Sequence, residues 1–298
     1  MRLSQIKHEL LSASVLESLS INNVLTASAF LAHNPGALST RCPLSVQEIF
    51  KLRNYLKIKY GICSNRSIIP KSRTLPCEVF NELKTEYLYE FYGGVGSGKT
   101  QTSMFLSASL IKKDRRVLYI DTKNDFSMVR MKNYLNKFMQ KAMNFKIAKC
   151  FDLHEALKIT HELIEKHEIF GIDLLVLDSI ASLVLPLLED DNIGDTFQQV
   201  AKLVINLKKI AFNQSCAVLV INSATNLGTR PSLGKIFGNA ANVRYSFRKI
   251  GPQKSQVTCE KTTSQSSMED KNPFVIEINE FEICKQTVDS AHQLPNKK

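Results

Sequence analysis

No apolar stretch in this 298-residue chain approaches the roughly 20 residues needed to span a bilayer. The longest, near Leu183 to Leu188, is far shorter, which excludes a membrane-spanning protein. Nor do the seven cysteines (Cys42, Cys63, Cys77, Cys150, Cys216, Cys259, Cys284) fall in pairs at zinc-site spacing. Scattered singly and odd in number, they suit reduced thiols in cytosol or nucleus and read mostly as small buried hydrophobes. A secretory signal is not expected, because MRLSQIKHELLSAS places His8 and Glu9 inside what would have to be its apolar part. That start reads as an amphipathic helix. There is no internal repeat, and between Lys51 and Arg73 there is no acidic residue at all.

What is present is a chain with 44% hydrophobic and 22% charged residues, enough for a full core and against a disordered or fibrous class. The length suggests one large domain with a small companion. Its formal charge of +11 favours an anionic partner: nucleic acid, phosphate or a membrane surface. Residues 1 to 84 carry a net +6 of it, so the excess lies disproportionately at the front.

Residues 1–60 show helical periodicity, with Leu10, Leu11, Val15, Leu16 and Leu19 at three- and four-residue steps. The turn signal His33-Asn34-Pro35-Gly36 follows, and Ser45 with Glu48 three residues on has the form of a capping box. This predicts a small N-terminal helical domain. Residues 61–85 read as a basic, extended linker. The run from Lys51 to Arg73 has seven basic residues with Tyr55 and Tyr60 interleaved, either a phosphate-facing patch or a solvated helix end.

From residue 86 to 285, short apolar strands alternate with longer helical stretches. Strands are expected at Tyr87 to Tyr92, Val117 to Asp121, Leu174 to Asp178 and Ala217 to Asn222, with helices at Lys99 to Lys112, Phe126 to Met143, Leu153 to His167 and Thr196 to Phe212. The fold class is therefore α/β, a mostly parallel sheet flanked by helices. Val243 to Phe247, Gln256 to Glu260 and Phe274 to Ile283 lack helices between them, so the sheet should finish antiparallel. Residues 286–298 form a flexible tail.

The strongest local signal is Gly93-Gly94-Val95-Gly96-Ser97-Gly98-Lys99-Thr100, a complete phosphate-binding loop after a strand and at the start of a helix. The glycines let successive backbone N–H groups curl around an anion, and the helix N-terminus adds its partial positive charge. Lys99 can reach the terminal phosphates, and Thr100 can hold Mg²⁺. Its companion is Leu174-Leu175-Val176-Leu177-Asp178-Ser179, whose carboxylate, at the edge of the sheet, can orient water on the metal or else cap a helix with Ser179. His154, His161 and His167 lack the spacing of a helical metal site and read as a solvated face.

With these motifs in place, the sequence resembles the RecA-type recombinase family, specifically the eukaryotic Rad recombinase paralogues, and most closely the D-type paralogue. The resemblance is carried by GGVGSGKTQ, VLYIDT (Val117 to Thr122), LLVLDSIASLVLPLL (Leu174 to Leu188), CAVLVINSAT (Cys216 to Thr225), and RPSLGKIF followed by the Arg244 strand. It covers about residues 86 to 283, and it implies a RecA-like P-loop core that binds ATP with Mg²⁺. It also implies a nuclear protein of homologous-recombination repair, a mediator-complex subunit with C-type and X-ray-complementing paralogues as partners, acting on single-stranded or branched DNA.

Departures from the family pattern sharpen the expectation. Active recombinases carry Asp-Thr-Glu after the second core strand, the glutamate polarising the attacking water; here the run is Asp121-Thr122-Lys123. A lysine is a poor base at neutral pH, so hydrolysis should be weak. The phosphate-sensing glutamine is replaced by Ser223 after Asn222. The first DNA loop, from Glu189 to Asp195, holds four acids that repel phosphates, while the second, around Asn226 to Lys235, keeps Arg230 and Lys235. Candidate DNA contacts are therefore Lys57, Lys59, Lys71, Arg73, Arg230 and Lys235. About two dozen residues of the family pattern are absent between Glu82-Leu83-Lys84-Thr85 and the strand that follows. That gap keeps open a purely structural adaptor with a vestigial nucleotide site. An active DNA-dependent strand-exchange ATPase fits less well, since it needs a positive first loop and a catalytic carboxylate.

Overall fold

The computed structural model describes residues 2–60, 72–165, 171–188, 193–225, 230–263 and 272–287. Two compact units divide the chain, Met1–Ile69 and Pro70–Lys298.

In the first unit, four helices, α1 (Ala13–Ile21), α2 (Ala27–Ala32), α3 (Pro35–Ser39) and α4 (Val46–Tyr60), bury Val15, Leu19, Phe30, Leu38, Ile49, Leu52 and Leu56 in one small core. Short helices of this kind depend on their ends. Ser12, Thr26 and Asn34 each cap the following helix by accepting a backbone N–H. The capping box at α4 forms: Glu48 Oε2 accepts the Ser45 N–H at 2.8 Å, and Ser45 Oγ accepts the Glu48 N–H at 3.2 Å.

The second unit is built on a nine-stranded sheet in the order β11-β10-β9-β8-β3-β7-β6-β4-β5. Strands β3 (Leu88–Gly93), β4 (Val117–Asp121), β5 (Phe145–Lys149), β6 (Leu174–Asp178), β7 (Ala217–Ser223) and β8 (Val243–Lys249) run parallel. Strands β9 (Lys254–Thr262), β10 (Phe274–Ile278) and β11 (Ile283–Thr287) continue it antiparallel, as the missing helices predicted. Phe274 to Ile283 is thus two strands turning at Asn279, whose N–H bonds Glu282 O, rather than one.

Alternation along the central strands sends one set of side chains to each face. Tyr89, Phe91, Val117, Tyr119, Leu174, Val176, Leu219 and Ile221 pack beneath α5 (Lys99–Lys112) and α6 (Met128–Leu135). Leu88, Leu118, Ile120, Leu175, Leu177, Val218 and Val220 pack beneath α7 (Leu153–Glu165), α8 (Ile180–Val184), α9 (Ile193–Asn213) and α10 (Gly234–Gly238). Both faces are covered, which is why these strands read as continuous apolar runs.

Two segments depart from the expectation. Residues 74–84, read as extended linker, form a β-hairpin of β1 (Thr74–Cys77) and β2 (Asn81–Lys84). Leu75, Cys77, Val79, Phe80 and Leu83 join the core under the sheet, and the Phe80 ring lies 4.9 Å from Phe91 and 4.8 Å from Tyr245. The expected helix from Phe126 to Met143 ends as α-helix at Leu135, continues as a 3₁₀ stretch to Asn144 and is followed by the edge strand β5. Among the described residues no helix is long and apolar enough to cross a membrane, and Cys42, Cys77, Cys150 and Cys216 are buried free thiols.

Candidate nucleotide-binding site

The phosphate-binding loop connects the end of β3 to the first turn of α5, at the carboxyl edge of the parallel strands. Its glycines are required by shape. Gly98 sits at φ +86°, and a Cβ there would collide with the Ile278 side chain; a Cβ on Gly93 would collide with the Phe247 carbonyl of the neighbouring strand. The loop frames a cleft of about 440 Å³ whose walls include Lys99, Thr100, Arg130, Gln253, Lys254 and Ile278. The tip of the β8–β9 hairpin and the end of β10 therefore close the site from the antiparallel side.

Lys99 folds back over the loop. Its Nζ donates to Gly93 O at 2.9 Å, Gly94 O at 2.7 Å and Ser97 Oγ at 3.2 Å. Burial, with the nearby Lys123 ammonium adding to it and Asp178 opposing, lowers its pKa to about 8. A half-buried cation whose hydrogen bonds go only to neutral oxygens is poised to prefer an anion.

On the other side of the cleft, Asp178 ends β6 in register with Asp121 at the end of β4. Its Oδ2 accepts the Tyr119 hydroxyl at 2.7 Å, Tyr119 in turn meeting Ser103 Oγ at 2.9 Å, and Thr100 also hydrogen-bonds the carboxylate. Burial raises the Asp178 pKa, while Tyr119, Thr100 and Lys123 hold it down. Asp121 instead turns inward, accepting the backbone N–H groups of Lys123, Asp125 and Phe126 and shaping the turn that presents Lys123. Lys123 itself is exposed, and its charge reaches both Lys99 and Asp178. Lys123 thus stands where the resemblance leads one to expect a glutamate, and Asp125, two residues on, lines the cleft.

These residues fit a magnesium-bound triphosphate. The loop is held in its curled form by Gly93 and Gly98, which pack too closely against Phe247 O and Ile278 to carry a Cβ, and Lys99 supplies a partly desolvated cation. Thr100 and Asp178 form the hydroxyl–carboxylate pair that suits Mg²⁺, an ion usually held by few protein ligands plus phosphates and water. In keeping with that mode, no group of three or more His, Cys, Asp or Glu among the described residues is placed to cage a metal.

A buried polar network that the motifs do not signal lies on the α9 face of the sheet. Glu90 on β3 is fully buried and opposes Arg244 on β8 in register. Arg244 Nε donates to Glu90 Oε2 at 2.5 Å and its Nη2 to Gly238 O at 2.7 Å. Asn222 Nδ2 donates to Glu90 Oε1 at 2.8 Å and to Ser232 O at 3.0 Å. Burial raises the Glu90 pKa against the pull of Asn222 and Arg244. Ser232 N–H donates to Ser223 O, and Ala224 N–H donates to Gly93 O, an acceptor shared with Lys99. The base of the second expected DNA loop is thereby tied to the phosphate loop through main chain.

The candidate DNA residues scatter. Arg73 lies at the opposite, amino edge of the strands, where it bonds Ser215 O at 3.3 Å and sits 3.8 Å from Asp173. Arg230 is exposed and closes the loop base through its carbonyl to the Thr225 N–H. Lys57 and Lys59 belong to α4 and Lys235 to α10, but their side chains lie outside the described residues, as do Lys71 and the acids Glu189 to Asp191.

Comparison with known proteins agrees with this geometry. A 30% identity over 137 residues links the chain to the DNA repair and recombination protein RadB of Methanobrevibacter smithii, covering 45% of this chain and 57% of that protein. The RadB of Methanosphaera stadtmanae is 24% identical over 164 residues, 53% of this chain and 68% of that protein. The chain therefore spans just over half the length of the first relative and about two thirds of the second. The Rad51 family model matches residues 71–281, which takes in the hairpin, the phosphate loop, Asp178 and the antiparallel strands β9 and β10. Members of that family bind ATP with Mg²⁺, and this chain, with a matching core over most of its length, belongs to the Rad51 family.

Proposed function

We propose that this chain is a D-type recombinase paralogue, a nuclear subunit of a mediator complex in homologous-recombination repair, which holds Mg²⁺·ATP and hydrolyses it weakly. The observation that carries this reading is the pairing of an intact cradle, Gly93 to Thr100 with Asp178, with Lys123 where hydrolysis needs a carboxylate. The names of the two RadB relatives, DNA repair and recombination proteins, support the process. Bound Mg²⁺ would neutralise phosphate charge and polarise the terminal phosphoryl group. Lys99 would exchange its loop carbonyls for phosphate oxygens, Thr100 and Asp178 would hold the metal side, and Tyr119 would keep Asp178 oriented. With Lys123 in place of the glutamate of active recombinases, hydrolysis is slow, so bound triphosphate persists and stabilises the core.

The D-type assignment rests on the run from Asp178 to Leu188. The family segment absent before Glu86 is, in this reading, compensated by the β1–β2 hairpin, whose Phe80 and Leu83 cover the sheet. The partners would be a C-type and an X-ray-complementing paralogue. Co-expression with each, followed by affinity purification, tests this: stable complexes that survive moderate salt support it, and recovery of the chain alone from both refutes the mediator reading. DNA contact through Lys57, Lys59, Lys71, Arg73, Arg230 and Lys235 predicts a salt slope of log K steeper than about −2 for single strands. A flat dependence would count those residues as solvated surface.

A further inference from the structure

Tyr119 on β4 pairs with Val176 on β6, so Asp178, two residues further along β6, lies on the same face of the sheet as the phenol. Tyr119 Oη donates to Asp178 Oδ2 at 2.7 Å. It also lies 2.9 Å from Ser103 Oγ on α5, a hydroxyl that reaches Thr100 O at 2.8 Å. All three side chains are buried, Ser103 at 0%, Tyr119 at 1% and Asp178 at 5% exposure. Aromatic packing holds the phenol in place, with Phe126 edge-on at 5.0 Å between ring centroids and Phe145 at 6.5 Å. A chain of hydroxyls therefore runs from the phosphate-loop helix to the carboxylate on the metal side of the cleft.

The protons in this chain decide what Asp178 can offer. Its Oδ2 is committed to the phenol, and the carboxylate also accepts the Thr100 hydroxyl, the other group on the metal side. Ser103 has one proton to share between Thr100 O, which the helix already supplies with an N–H, and the phenol oxygen. Without the phenol, Asp178 could turn about its terminal torsion, which is soft, and present both oxygens to the cleft. With it, Asp178 has one oxygen left for an ion or for water on that ion. This separates two ions of equal charge: Mg²⁺ keeps several waters and takes few carboxylate oxygens, whereas Ca²⁺ gathers about six to eight oxygens and readily uses both of one carboxylate.

We propose that Ser103 and Tyr119 are positioning residues that set the metal preference of this site, holding Asp178 to a one-oxygen contact that suits Mg²⁺ and disfavours Ca²⁺. The proposal rests on the Mg²⁺·ATP reading above and adds its ion selectivity. Tyr119 acts on Asp178 directly. Ser103 acts through Tyr119, because a hydroxyl donating to the phenol oxygen strengthens the bond that the phenol makes onward.

Binding of a fluorescent ATP analogue to the purified full chain, titrated separately with Mg²⁺ and Ca²⁺ and repeated in EDTA, tests the assignment. Wild type should prefer Mg²⁺. Tyr119→Phe keeps the buried ring and should lower the ratio of Mg²⁺ to Ca²⁺ affinity about 10-fold, the scale of groups that orient metal ligands, with metal-free affinity unchanged within about twofold. Ser103→Ala should move the ratio the same way by less, and should add nothing to Tyr119→Phe. An unchanged ratio in both variants, beside a magnesium-dependent wild type, overturns this proposal and leaves the Mg²⁺·ATP reading standing. A wild type that binds no nucleotide with metal overturns both. A metal-free affinity that falls as far as the Mg²⁺-supported one marks general damage to the site, and additive effects of the two substitutions mark unconnected roles; either also overturns the proposal. If Tyr119→Phe does not fold, the ratio in Ser103→Ala decides alone.

Discussion

Raising the pH should release nucleotide from this protein by a mechanism that can be calculated from one residue. Lys99 has a pKa of about 8 in the free site, lowered first by burial and then by the Lys123 ammonium. Phosphate beside it would restore a value near the ordinary lysine range, so the bound state holds more protons and affinity falls as pH rises through about 8. Between about pH 7.5 and 9.5 the expected loss is about 20-fold, roughly 1.8 kcal/mol. The assay is equilibrium binding of a non-hydrolysable fluorescent ATP analogue with excess Mg²⁺, whose terminal phosphate is already ionised over this range. Lys123→Ala removes the like charge and should shift the midpoint upward, and Lys99→Arg, ionised throughout, should flatten the curve. The same shift acts oppositely on folding. Because the folded pKa is lowered, the unfolded chain binds more protons between about pH 8 and 10.5, and the contribution of Lys99 to stability rises there. Loss of affinity is thus not unfolding. An affinity constant within twofold across the range, or an equal fall in Lys99→Arg, would refute the reasoning.

Further outcomes follow from the same geometry. Lys123→Glu places a carboxylate where the site has an ammonium and should raise single-turnover hydrolysis about 100-fold, the scale of one general base; an unchanged rate would show that the base is not what limits turnover. Arg244→Met strands the fully buried Glu90 carboxylate and should cost about 3–5 kcal/mol in urea unfolding, with Glu90→Gln in the same chain recovering part of it. Equal stability of the single and double variants would show that Glu90 is protonated and the pair is not ionic.

The parallel core was legible because its strands are buried on both faces and so read as apolar runs, Leu174 to Asp178 being the clearest. The phosphate loop and Asp178 announced themselves by motif. The β1–β2 hairpin did not, since two four-residue strands around Pro76 carry too little periodicity, and their apolar residues make sense only against Phe91 and Tyr245 across the chain. Strand β5 was hidden by Lys146 and Lys149, which an edge strand tolerates because it exposes those positions. Tyr119 and Glu90 escaped notice for a different reason. Their partners, Asp178 and Arg244, lie 59 and 154 residues away and meet them only through strand register, which no local pattern encodes.

The central claim is that this chain binds Mg²⁺·ATP and keeps it. The most direct measurement combines equilibrium binding of a fluorescent ATP analogue, with and without Mg²⁺, and the turnover rate of ATP by the same preparation. Magnesium-dependent binding that Lys99→Ala abolishes, with turnover far below that of an active recombinase, is the predicted result. Absence of magnesium-dependent binding would leave only a structural adaptor, and turnover at the rate of an active recombinase, abolished by Lys99→Ala, would contradict the role assigned to Lys123.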